Sequence, residues 1–102
     1  MSEVNRMNSK LKNDRLDELY KAILSLESIE ECYNFFEDLC TVSEIKAMSQ
    51  RFNVAGMLRR GCQYNEIVKE TGASTSTISR VNRSLFYGND GYSMILERLI
   101  EK

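Results

Sequence analysis

No proline occurs anywhere in this 102-residue chain. Proline removes a backbone donor and clashes inside a helix, so its absence leaves every segment free to be helical. The apolar spacing uses that freedom. Leu16, Leu19, Tyr20, Ile23 and Leu24 recur at i, i+3, i+4, i+7 and i+8, the signature of one helix face. Ser28 and Glu31 stand at capping-box spacing, ahead of an apolar face made by Ile29, Cys32, Tyr33, Phe36 and Leu39. Thr41 and Glu44 repeat the signature before a third helix with Ile45, Met48, Phe52, Ala55 and Leu58. Gly61 is placed to stop that helix. A short fourth helix is predicted over Tyr64 to Glu70 and a fifth over Thr75 to Phe86. After the loop Gly88-Asn89-Asp90-Gly91, a last helix holds Tyr92, Ile95, Leu96, Leu99 and Ile100. No strand-like alternation runs for more than a few residues. The expected fold is all-α, with six helices.

The length suits one domain, expected over residues 11–102 behind a polar, flexible N-terminus at residues 1–10. A chain this size buries a modest core. The first, second and last helices nevertheless carry wide apolar faces. A homodimer would bury that surface, and is expected here ahead of a monomer wrapped in its own helices. No run is long and apolar enough to span a membrane, and the start MSEVNRMNSK lacks an export core. The expected location is cytoplasmic. Three cysteines, Cys32, Cys40 and Cys62, are odd in number and unpatterned in spacing. They read as reduced, mostly buried thiols. With no histidine and no CxxC pair, no metal site is expected, and the commonest general base is missing.

The net charge is −1, but it is unevenly spread. Residues 1–50 carry −4 and residues 88–102 carry −1, whereas residues 51–87 carry +4. The cations of that middle segment are Arg51, Arg59, Arg60, Lys69, Arg80 and Arg83. Such clustering fits an anionic partner. The same segment contains QYNEIVKETGASTSTISRVNRSLF, which has the logic of a helix-turn-helix at residues 64–86. Two short helices that cross with almost no connector need a residue tolerant of positive φ, and Gly72 supplies it. Ile67 and Val68 are expected to face inward from the first helix. Ala73 follows the turn, and Ile78, Val81 and Leu85 face inward from the second. Ser74 is expected to cap that second helix.

The outward face of the second helix then offers Thr75, Ser76, Thr77, Ser79, Arg80 and Arg83, and with Ser74 these are the candidate DNA-binding residues. Hydroxyls and guanidinium groups suit base edges and phosphates. Small residues at the helix start allow entry into the major groove. Double-stranded DNA is the expected partner.

From about Phe36 to Ile100 the chain resembles the Trp repressor-like family, in its YerC/YecD-type branch. The carrying residues are LCTVSEIKAMSQRFNVAGMLRRG, with Thr-x-x-Glu, Arg51 and Leu58-Arg59-Arg60-Gly61, followed by Thr77-Ile78-Ser79-Arg80 in the helix-turn-helix. The resemblance implies an entwined homodimer that regulates transcription, as a repressor. It also implies a corepressor site, in which Arg51 and Arg80 match two ligand-flanking arginines, and Thr41 and Ser84 match two further contacts. The tryptophan repressor has glycine just after the second arginine, where the indole ring needs room. Here that residue is Val81. L-tryptophan is therefore disfavoured as corepressor, and Arg51 and Arg80 read instead as phosphate contacts or members of a structural ion pair. Another, smaller effector stays open.

Two further classes compete with a DNA-binding regulator. A protein-interaction module would use the helical hairpin as a scaffold and the basic segment to hold an acidic partner. An enzyme is disfavoured, because no nucleophile–base pair or metal set is present. Cys62 near Arg59 and Arg60 is the nearest approach to one.

Overall fold

The computed structural model describes residues 9–100. Among them lie six helices and no strand: α1 (Asp14–Leu24), α2 (Ile29–Leu39), α3 (Val42–Arg59), α4 (Tyr64–Thr71), α5 (Thr75–Tyr87) and α6 (Gly91–Ile100). The all-α, six-helix expectation is met. Of the expected flexible N-terminus, residues 1–8 lie outside the described residues, and Ser9 and Lys10 are exposed. The chain divides into two units, residues 1–39 and 40–102.

The first unit contains α1 and α2. Asn13 starts α1, accepting from the Leu16 N–H at 2.7 Å. Asp14 and Asp17 in the first turn and Lys21 in the last complement the helix dipole. Just before the helix, Lys12 Nζ lies 2.6 Å from Asp17 Oδ2. The hydrogen bond to Asp17 raises the Lys12 pKa above its ordinary value, but an exposed pair like this adds little stability. Ser28 caps α2 as expected, accepting from the Glu31 N–H at 3.1 Å. The Glu31 carboxylate, however, accepts from the Glu27 N–H at 2.9 Å and not from Ser28. Neither helix holds a buried residue, and among the described residues the two do not pack on each other.

The second unit has a core. Thr41 caps α3 with a complete capping box: its hydroxyl accepts from the Glu44 N–H at 3.1 Å, and Glu44 Oε1 accepts from the Thr41 N–H at 2.8 Å. Gly61 ends the helix at φ +85°, a conformation glycine adopts without steric cost. The Cys62 N–H then bonds the Met57 carbonyl and the Gly61 N–H the Leu58 carbonyl, which satisfies carbonyls left over by the helix. Around α3 pack α4, α5 and α6. Val54, Ala55, Ile67, Ala73, Ile78, Val81, Leu85 and Leu96 form the buried cluster. Each fully buried isoleucine, valine or leucine there stabilises the fold by roughly 1.5–3 kcal/mol.

One inward-facing expectation needs correction. Val68 is exposed, because it lies one residue past the fully buried Ile67 and so about 100° further round the helix. Met48 and Phe52 are also exposed, while Val54 is fully buried. The three cysteines are half-buried and free of disulfides.

Candidate nucleic-acid interface

The helix-turn-helix is built by α4 and α5 around a three-residue connector. Gly72 adopts φ +75° and its N–H bonds the Val68 carbonyl at 2.9 Å. A side chain here would strain the backbone. Ala73 is buried, and Ser74 begins α5 by accepting from the Thr77 N–H at 3.1 Å. The underside of α5 is Ile78, Val81 and Leu85, all buried. That spacing of three and four residues keeps one apolar stripe against α3 and α4.

The stripe fixes what the opposite side presents. Ser74, Thr75, Ser76, Ser79, Arg80 and Arg83 are exposed. Thr77 is half-buried, and its Oγ1 lies 3.1 Å from Ser74 Oγ. Its hydroxyl is therefore engaged at the cap. Among the described residues, Arg80 and Arg83 form no ion pair. Arg59 differs: it meets Glu97 at 3.5 Å and donates to the Ser93 carbonyl at 3.2 Å. One of the six cations in the basic segment thus ties α3 to α6.

The four expected corepressor contacts are spread over two helices. Thr41 caps α3 and Arg51 stands half-buried along it, while Arg80 and Ser84 are exposed on α5. No hydrogen bond links them among the described residues, and neither arginine is in an ion pair there. Ser84 lines a groove of about 540 Å³ with Phe52, Gly88 and Tyr92, a lining that includes none of the other three. Val81 lies in the core at 1 % exposure.

Gln50 and Thr71 meet across α3 and α4, a pairing that residue type alone does not reveal. Gln50 Nε2 donates to the Thr71 carbonyl at 3.1 Å across 21 residues of sequence. Thr71 next to the turn glycine was a local signal, since threonine hydroxyls favour turns. Nothing in the sequence pattern pointed to Gln50.

The Trp repressor protein family model matches residues 14–100. The chain belongs to the Trp repressor family. The family match starts at α1, so it reaches further toward the N-terminus than the resemblance seen from Phe36 onward. The YerC protein of Bacillus subtilis (strain 168) is 58% identical over 92 residues, covering 90% of this chain and 88% of that protein. A solved TrpR-like protein from Eubacterium eligens ATCC 27750 superposes with a TM-score of 0.87 at 59% identity. It covers 90% of this chain and 95% of its own. A solved chain from Staphylococcus aureus, described as a candidate Trp repressor, gives 0.87 at 58% identity over 91% and 93% of the two chains. The Trp repressor family is a family of regulators, and membership points to a DNA-binding regulator. Among the described residues, no helix is long and apolar enough to cross a membrane, and no group of His, Cys, Asp and Glu is placed to hold a metal ion.

Proposed function

We propose that this Trp repressor family member is a sequence-specific transcriptional repressor that acts as a homodimer and reads DNA with α5. The observation that carries the reading is the division of α5 into two sides. Ile78, Val81 and Leu85 bury one side, and Thr75, Ser76, Ser79, Arg80 and Arg83 stand free on the other. Hydroxyls at the helix start serve base edges, and arginines serve guanine or phosphate.

Exposed apolar side chains support the dimer. Leu24 is 83% exposed, Ile29 77% and Tyr33 65%. Surface of this kind favours burial against a second copy. Two copies would read a two-fold symmetric operator with half-sites about one helical turn apart. The proposed regulator does not require L-tryptophan, because the Val81 side chain occupies the core beside Arg80.

Footprinting against genomic fragments tests the proposal. The expected result is protection of a symmetric site, with affinity that falls steeply as salt rises. Uniform weak binding to every fragment would overturn it.

A further inference from the structure

Thr71 is the last residue of α4, so no following helical amide reaches its carbonyl. Gln50 of α3 fills that place, donating from Nε2 at 3.1 Å. The Thr71 hydroxyl meanwhile donates to the Ile67 carbonyl at 2.7 Å and accepts from the Ala73 N–H at 3.1 Å. One residue thus grips both the last turn of α4 and the first amide past Gly72, and α3 holds that residue through its carbonyl. Among the described residues, this is the one side-chain hydrogen bond joining α3 to the α4–α5 hairpin. It stands in the wall of a groove of about 850 Å³ between α3 and α4.

The buried cluster these helices share, which includes Val54, Ala55, Ile67, Ala73, Ile78, Val81 and Leu85, is apolar. Apolar contact is non-directional. Packing of side-chain ridges into grooves favours a crossing angle, but with a scatter of about 15–20°. A hydrogen bond is directional. Base-edge readout needs the helix aimed correctly, whereas phosphate contacts tolerate more error.

We infer that Gln50 is a positioning residue, which acts through Thr71 to hold the α4–α5 turn and so fixes the angle at which α5 meets DNA. This inference rests on the DNA-reading role proposed above. The amide is essential to it, because a carboxylate at the same place would repel the Thr71 carbonyl.

The test compares the full-length protein with Gln50→Met and Gln50→Leu, neutral replacements that remove the donor. Melting transitions establish that each variant folds. Two readouts follow: the ratio of affinities for the selected operator and a scrambled duplex, and amide hydrogen exchange at Gly72 to Thr77 in the free protein. The expected ratio falls roughly fivefold to tenfold, the loss of one directional bond. Affinity for the scrambled duplex and the salt slope stay unchanged, and exchange in the turn quickens. An unchanged ratio in a folded variant overturns the inference. So does a parallel fall in both affinities, which marks general destabilisation. If the wild-type protein discriminates no duplex, the DNA-reading role is what fails. Exchange alone then decides the hold on the turn, and wild-type protection in both variants overturns it.

Discussion

Thr77 is joined to Ser74 twice: its N–H donates to Ser74 Oγ at 3.1 Å, and the two hydroxyl oxygens lie 3.1 Å apart. The first bond satisfies one of the amides left over at the start of α5. In the second, Ser74 Oγ donates to Thr77 Oγ1 and so engages that oxygen at the cap. Residues adjacent in sequence therefore divide into a pair that builds the helix start and a pair left exposed beside it.

That division is measurable. Ser74→Ala is expected to cost about 1 kcal/mol of stability in urea denaturation, the usual worth of a serine cap. Thr75→Ala and Ser76→Ala, at exposed positions, should change stability by no more than about 0.5 kcal/mol. They should instead weaken operator binding and relax sequence preference. Equal losses of stability in all three variants would show that no such division exists.

Arg80 and Arg83 are exposed and unpaired among the described residues, whereas Arg59 is held by Ser93 and Glu97. Each of Arg80→Ala and Arg83→Ala is expected to follow one of two courses. Loss of a phosphate contact lowers affinity for all duplexes and reduces the salt slope by about 1. Loss of a guanine contact costs about 1–3 kcal/mol at one operator position. Arg59→Ala should leave the salt slope unchanged and lower stability modestly, because a partly exposed ion pair contributes little. Salt titrations by fluorescence anisotropy separate the three variants.

Where one local motif decides the structure, it was legible in the sequence. The Thr41–Glu44 capping box, the left-handed Gly61 and Gly72, and the Ser74 cap each depend on residues within a few positions. The underside of α5 was legible too, since Ile78, Val81 and Leu85 repeat at helical spacing. The face of α3 was legible only in part, at Ala55 and Leu58. Three helices pack around it, so its apolar residues do not form one stripe, and Val54 rather than Phe52 reaches the core. Gln50 was illegible for another reason. A polar side chain on a helix reads as solvated until the chain brings a carbonyl 21 residues away into reach.

The exposed Leu24, Ile29 and Tyr33 make a prediction about assembly. If a second copy covers them, folding and association are linked, and the melting temperature rises with protein concentration. Ile29→Glu should remove that dependence and shift the protein from dimer to monomer in sedimentation equilibrium. A concentration-independent melting temperature in the wild-type protein would leave these side chains without a homodimeric role.

Val81 carries the last prediction. Its side chain is almost fully buried, between Ile78 and Leu85 on the underside of α5. Trimming it to alanine is expected to cost about 2 kcal/mol, from lost transfer energy and the cavity left behind. Glycine adds about 1 kcal/mol through its poor helix propensity. The wild-type protein should bind its operator equally well with and without millimolar L-tryptophan, because a ligand with no differential affinity for two states shifts neither. Val81→Gly opens space beside Arg80 but removes a core contact. Stability measured with added L-tryptophan distinguishes the consequences. Recovery of the lost stability in Val81→Gly, and not in Val81→Ala, would mean that Val81 alone stands between this chain and an indole ligand. No recovery in either would place the obstacle in the wider arrangement of Thr41, Arg51, Arg80 and Ser84, which no shared hydrogen bond now draws together.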